Sequence, residues 1–226
     1  MTAPSLWVVI AAYNEATVIA GVIAGVRAAG YPVVVVDDGS ADGTADAAEA
    51  AGAVVVRHPI NLGQGAGLQT GIDYALSAGA ETIVTFDADG QHRVEDIAVL
   101  AAALVERNVD YALGSRFLGH TLNQPLARRI TLKLAILFTR LTVGLRVTDT
   151  HNGLRAMTRR GAERIKLRQN RMAHASEILH QIAESRLTYV EVPVTIEYSA
   201  YSLAKGQKLS DALTILLDLF ARRLHR

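Results

Sequence analysis

Cysteine is absent from the 226 residues, which excludes disulfide frameworks and thiolate zinc sites and leaves oxygen and imidazole as the ligands open to a metal. The absence also fits a reducing compartment, and a cytoplasmic protein is the expectation. No uninterrupted apolar run reaches the roughly 20 residues that cross a bilayer. The best candidate, residues 132–145, is broken by Lys133 and Arg140. Residues 1–10 hold a brief apolar run with no basic stretch ahead of it, so no secretory signal is expected. Charge of either sign is nearly balanced, with 23 Lys and Arg against 22 Asp and Glu, and the whole-chain field therefore names no partner. Hydrophobic residues make up 50% of the chain and charged ones 20%, the composition of a globular protein rather than a disordered one. At this length one domain with an elaborated second half is expected, residues 1–226.

Residues 1–115 alternate short β-branched runs with alanine-rich stretches, the pattern of a mostly parallel sheet covered by helices on both faces. Strands are expected at 6–12, 33–37, 53–57 and 82–86, with a fifth at 111–115 after a helix starting near Val94. In such α/β sheets ligands bind beyond the carboxyl ends of the strands. The residues found there are Tyr13-Asn14-Glu15, Asp37-Asp38-Gly39-Ser40, the stretch 58–61, and Asp87-Ala88-Asp89. Beyond Arg116 the rhythm loosens into a basic helical segment, a loop at 149–155, a helix near His174, a strand pair around 190–198 and a last helix. That last helix carries Leu209, Leu213, Leu216, Leu217, Phe220 and Leu224 on one face, which reads as core packing.

The run Asp87-Ala88-Asp89-Gly90-Gln91-His92 sets two carboxylates two residues apart at a strand tip. Magnesium or manganese held by one or two carboxylates keeps coordination sites free for substrate phosphates and neutralises charge on a departing nucleotide. An isolated Asp-x-Asp is common in solvated turns. Here it is accompanied by Asp37-Asp38-Gly39-Ser40-Ala41-Asp42-Gly43-Thr44, whose glycines permit a tight turn and whose Thr44 or Asp42 can cap a helix. Capping does not account for two adjacent acids at the end of a strand.

Taken in order, Ala12-Tyr13-Asn14-Glu15, the 37–44 run, Asn61-Leu62-Gly63-Gln64-Gly65-Ala66 and the 87–92 run resemble the successive signatures of family 2 glycosyltransferases. The resemblance implies a Rossmann-like GT-A fold and a metal-dependent, inverting transfer of a hexose from a UDP- or GDP-sugar. It implies that Tyr13, Glu15 and Asp38 hold the base and ribose, with Ala12, Asp37, Gly65 and Ala88 lining the nucleotide-sugar site. Asp87 and Asp89 would serve the metal and diphosphate, with Asp89 essential to catalysis. Within the family, Gln91, Gly114-Ser115-Arg116 and the 149–155 segment resemble polyprenyl-phosphate sugar transferases, including dolichol-phosphate mannose synthases, in which a glutamine matching Gln91 also reaches the metal. The resemblance covers residues 6–160. Two positions depart from it: Ala12 stands where proline is usual, and Gln64 where lysine is common.

The stretch 116–148 contains Arg116, Arg128, Arg129, Lys133, Arg140 and Arg146 and no acidic residue. A one-signed patch attracts anions. Beside Leu126, Ile130, Leu134, Leu137 and Phe138 it suits either a lipid-phosphate acceptor at an anionic membrane surface or a plain solvated helix face. Arginine forks bind phosphate in bidentate fashion, so Arg116 and Arg129, with Arg155 of the following loop, are the expected acceptor-binding residues. Nucleic acid is disfavoured because the patch lacks interleaved aromatics.

The 149–155 segment crowds Asp149, His151 and Arg155 around Gly153 and reads as an active-site loop, with Asp149 and Arg116 expected at the chemistry. A phosphate acceptor arrives anionic and needs no strong base, whereas a sugar hydroxyl needs one, with Asp149 or Glu177 as candidates. His174 and His180 read as surface or core-edge residues, and Tyr198, Tyr201, Lys205 and Lys208 as an acceptor loop or a solvated one. Transfer to a polysaccharide hydroxyl is the nearest alternative. Nucleotidyl transfer and hydride transfer are disfavoured because 11–15 is not a glycine-rich phosphate turn. A non-catalytic nucleotide-sugar sensor or scaffold subunit is argued against by the intact acidic pair. Oligomeric state stays open.

Overall fold

The computed structural model describes residues 5–122, 126, 129–130, 132–133, 136–137, 140, 145–169, 173–199 and 201. Leu134, Phe138, Arg128, Lys205, Lys208 and the expected last helix lie outside the described residues. The strands are β1 (Leu6–Ala12), β2 (Val33–Asp37), β3 (Val54–Arg57), β4 (Thr82–Thr85), β5 (Tyr111–Leu122), β6 (Arg155–Thr158) and β7 (Tyr189–Glu197). The helices are α1 (Ile19–Ala28), α2 (Thr44–Ala50), α3 (Gln64–Ser77), α4 (Glu95–Glu106), α5 (Arg159–Arg164) and α6 (Ala173–Glu184).

All seven strands form one sheet in the order β3-β2-β1-β4-β6-β5-β7. β1, β2, β3 and β4 pair in parallel, as do β5 and β7, while β6 runs antiparallel to both its neighbours. Each residue of β2 is buried, as a Val-Val-Val-Val-Asp run covered on both faces requires. Successive side chains of a strand point to opposite faces. Val8 and Ile10 accordingly join Ile23 and Leu100 in one core layer, and Val9 joins Leu68, Ile72 and Met157 in the other. Glycines let α3 press on the sheet: a β-carbon on Gly71 would lie 2.4 Å from Val9 Cγ1 and one on Gly67 3.0 Å from Ala11 Cβ. That close approach brings the start of α3 to the strand tips where the acidic motifs sit.

The second half differs from expectation in three places. β5 runs to Leu122 rather than to 115, because β7 lies beside it through two registers separated by an irregularity between Ser115 and His120. The expected strand pair at 190–198 is one strand, β7, held along β5. The 149–155 loop ends one residue early, and Arg155 opens β6. Arg-Ala-Met-Thr has neither β-branched enrichment nor alternation, and its place is set by insertion between β4 and β5.

Candidate active site

The tips of β1 and β2 are stitched into one rigid corner. Asn14 takes a left-handed conformation, its side-chain oxygen accepts from Ala41 N at 3.0 Å, and its own N–H donates to Ser40 Oγ at 2.9 Å. Glu15 N donates to Thr44 Oγ1 at 2.8 Å. Gly39 has φ 74°, and a β-carbon there would lie 2.7 Å from the Ile60 carbonyl carbon, so the turn packs flat on the 58–63 loop. Asp38 holds that loop: its carboxylate accepts from Leu62 N at 2.9 Å and Gly63 N at 2.7 Å and bonds His58 Nδ1 at 2.7 Å. His58 continues to Thr70 Oγ1 on α3 at 3.0 Å. Of the expected nucleotide-site residues, Ala12, Asp37, Asp38, Gly65 and Ala88 are buried and Tyr13 stands exposed beside them. Glu15 is buried and its carboxylate accepts from Tyr201 of the chain beyond β7 at 2.8 Å.

At the tip of β4, Asp87 and Asp89 are set by a turn in which Gly90 has φ 73°. Gln91 N donates to Asp89 at 3.1 Å and the Gln91 side-chain amide bonds the same carboxylate. His92 Nε2 lies 2.9 Å from Asp87 Oδ2, and its ring is edge-on to Phe86 with centroids 5.3 Å apart. Burial raises the Asp87 carboxyl, but the adjacent His92, then Arg155 and His174, outweigh it and hold the group below its ordinary value. Asp89 is pushed up, first by burial and then by the Asp87 charge. Two carboxylates in mutual repulsion at a partly open strand tip suit a divalent cation, which would relieve the repulsion. Among the described residues no group of three or more acidic or imidazole side chains converges, so such a cation would take its remaining ligands from substrate or water.

The 149–154 loop closes the other side. A β-carbon on Gly153 would lie 2.2 Å from each Asp87 carboxylate oxygen, and Gly153 O accepts from Thr85 Oγ1 at 2.6 Å. Asp149 and Arg116 form a buried ion pair: Asp149 Oδ2 accepts from Arg116 Nε at 2.6 Å and from its backbone N at 3.1 Å. Arg116 also donates to Tyr198 Oη at 2.9 Å and to His151 O at 3.0 Å. Of the five N–H groups a guanidinium carries, two have no partner among the described residues. Asp149 Oδ1 accepts from His151 N at 3.2 Å. Burial lowers the His151 imidazole to about 4, Asp149 opposing and Arg116 reinforcing the shift, so the ring is neutral at physiological pH.

Other expected residues are placed elsewhere. Glu177 accepts from the backbone of Arg168 and Gln169 and braces the chain ahead of α6. His174 is buried, while His180 pairs on the surface with Glu184 at 3.0 Å. Tyr198 is buried against Arg116 rather than lying in a solvated loop. Arg140 donates to Val147 O at 2.7 Å, and Arg129, Lys133 and Arg146 are exposed. His92, His58 and Gly153 carried no assigned role in the sequence. For His92 the signal was its place directly after Gln91, and for Gly153 it was a glycine between polar residues.

Residues 7–166 match the profile described as glycosyl transferase family 2. An uncharacterized protein of Methanocaldococcus jannaschii is 35% identical over 224 residues, covering 97% of this chain and 92% of that protein. The UDP-N-acetylglucosamine–dolichyl-phosphate N-acetylglucosaminyltransferase of Methanococcus voltae is 29% identical over 97% of this chain and 96% of its own length. Among solved structures, glucosyl-3-phosphoglycerate synthase from Mycobacterium tuberculosis in complex with Mn2+, UDP-glucose and phosphoglyceric acid superposes with a TM-score of 0.73 at 18% identity, over 97% of this chain and 79% of that one. That likeness establishes the GT-A fold. With the profile spanning most of the sheet and both acidic motifs, the chain belongs to glycosyl transferase family 2 and is a glycosyltransferase.

Proposed function

We propose that the protein transfers a hexose, with inversion, from a UDP- or GDP-sugar to a polyprenyl phosphate, using magnesium or manganese held by Asp87 and Asp89 with Gln91 beside them. The observation that carries this is the Asp87 and Asp89 pair at the tip of β4, shaped by Gly153 on one side and His92 on the other. When bound, the metal would offset charge building on the departing diphosphate. Around it, Tyr13 offers an exposed ring to a base, and the corner formed by Asn14, Glu15, Asp37 and Asp38 fixes the nucleotide end. The name of the Methanococcus voltae relative states a nucleotide-sugar donor and a dolichyl-phosphate acceptor, which supports a lipid phosphate here.

Geometry favours an acceptor that arrives anionic. Both candidate bases for a hydroxyl acceptor are engaged: Asp149 by Arg116 and His151, and Glu177 by two backbone N–H groups. A carboxylate locked in a buried ion pair is a poor proton acceptor. Arg116, held in place with two N–H groups unused among the described residues, and exposed Arg129 are assigned to the acceptor phosphate. Leu126, Ile130 and Leu137 are exposed on the helical segment that carries Arg129 and Lys133, a mixture suited to an anionic membrane surface. No helix among the described residues is long and apolar enough to cross a membrane. The test supplies radiolabelled UDP- and GDP-sugars with undecaprenyl or dolichyl phosphate. Label moving into organic solvent only when lipid phosphate and metal are both present is expected. Label kept in a water-soluble glycan would transfer the assignment to the hydroxyl-acceptor alternative.

A further inference from the structure

Three buried side-chain polar atoms among the described residues have no hydrogen-bond partner: Nδ1 of His92, Nδ2 of Asn152 and one terminal nitrogen of Arg155. All three residues cluster about one carboxylate. His92 bonds Asp87 directly, Arg155 acts on the same carboxylate through space, and Asn152 immediately precedes Gly153, where a β-carbon would lie against both Asp87 oxygens. Native interiors rarely leave such groups unmatched, and Asn152 and Arg155 are 2% and 3% exposed.

Arg155 is the most unusual of the three. A buried guanidinium is ordinarily answered by a carboxylate, as Arg116 is by Asp149 at 2.6 Å. Arg155 forms no ion pair among the described residues, and its charge reaches Asp87 through space. Asp149 also acts on it, but that carboxylate is already committed to Arg116. A divalent cation on Asp87 and Asp89 would therefore neutralise the main charge facing Arg155 and leave its guanidinium unanswered beside the cation in a poorly solvated site. That arrangement is unfavourable until an anion joins them. The unpartnered N–H groups of Arg155 and Asn152 are donors of the kind a phosphate oxygen accepts.

We propose that Arg155, with Asn152 beside it, makes metal binding at Asp87 and Asp89 conditional on a phosphate-bearing ligand. Arg155 opposes the metal alone and, together with Asn152, receives a phosphate oxygen when metal and ligand arrive together. The inference rests on the metal reading above and adds a coupling to it. The phosphate is that of a donor diphosphate or of an acceptor phosphomonoester, which share this chemistry. Coupling is reciprocal, so the metal strengthens capture of the phosphate by the same factor.

The experiment follows free Mn2+ by electron paramagnetic resonance with the full-length protein, alone and with UDP, GDP or farnesyl phosphate. In the wild type, one of these ligands should tighten Mn2+ binding by about tenfold or more. Arg155→Met should bind Mn2+ alone more tightly, by about threefold or more, and lose about tenfold of the tightening. Asn152→Ala should leave the Mn2+-alone affinity unchanged and reduce the tightening. Loss of coupling with UDP or GDP assigns the donor diphosphate, and loss with farnesyl phosphate the acceptor. Unchanged Mn2+ affinity and unchanged coupling in Arg155→Met overturns the proposal. If that variant does not fold, Arg155→Lys, which keeps the charge without the planar fork, should retain weak Mn2+ binding and lose coupling; full coupling in both Arg155→Lys and Asn152→Ala overturns it. A wild type that binds neither UDP nor GDP removes the donor reading, while the Mn2+-alone comparison still decides whether Arg155 opposes the metal.

Discussion

Gly153→Ala is the smallest change that reaches the metal-binding carboxylate without altering any charged group. The added methyl would sit 2.2 Å from both Asp87 oxygens, more than about 1 Å inside van der Waals separation. Gly153 itself is fixed, because its carbonyl accepts from Thr85 Oγ1 at 2.6 Å and the next strand begins two residues later. The carboxylate must therefore give way, against its 2.9 Å bond to His92. A displacement of about 1 Å at a reacting centre costs on the order of a hundredfold in rate, or about 2.7 kcal/mol of barrier. Overpacking by one methyl costs about 1 to 3 kcal/mol of stability, or roughly 2 to 12 °C of melting temperature for a chain of this size. Sugar transfer is measured against metal concentration at a temperature well below the variant's own melting point. A fall in kcat or metal affinity of about a hundredfold in a folded protein is expected. Wild-type metal affinity and turnover in Gly153→Ala would refute the reasoning, since the carboxylate position would then not matter.

Asp38→Ala strips an acceptor from Leu62 N, Gly63 N and His58 at once. It should lower stability by at least about 2 kcal/mol as well as weaken UDP or GDP binding, read by thermal melting and calorimetry; an unchanged melting temperature would show that the 58–63 loop does not depend on it. Arg116→Met leaves the Asp149 carboxylate buried without its partner and should cost about 3 to 5 kcal/mol of stability. Arg129→Ala, at an exposed position, should leave melting unchanged and raise the KM for lipid phosphate; equal melting of the two variants sinks the distinction. His151, held to about 4 in the folded state against about 6.5 when unfolded, takes up a proton more readily unfolded between those values. Stability should therefore fall as pH drops from about 6.5 to about 4 and lose nothing further from this group below that. His151→Gln should flatten that part of a urea-denaturation profile, and an unaltered profile would contradict the assignment.

The sheet was legible where strand chemistry and function coincide. Val-Val-Val-Val-Asp at β2 announces both a doubly covered strand and an acidic tip, and the tips of β1 and β4 read equally well because β-branched residues stop where polar ones begin. β6 was not legible, since Arg155–Thr158 becomes a strand only through its neighbours on either side. The site followed the same division. Asp87 and Asp89 could be named from spacing alone, but nothing in the spacing says that Gly153 lies against Asp87 or that Arg116 is paired with Asp149. Those relations span 33 residues for Arg116 and Asp149 and are fixed by how β6 settles between β4 and β5. Helical and strand periodicities carry no information about them.

The long reach of the last strand also sets when the site can exist during synthesis. Glu15 leaves the ribosome early, yet Tyr201, which bonds it, lies 186 residues later, a delay of about 10 to 40 seconds at ordinary elongation rates. Arg116 waits likewise for Tyr198, 82 residues on. Through that interval β5 has one edge without its partner β7, and an unpaired strand edge is a template for pairing with another chain. The nascent protein is thus most exposed to misassembly after its nucleotide corner has formed and before β7 emerges, which makes that interval the one in which a chaperone would have most to protect.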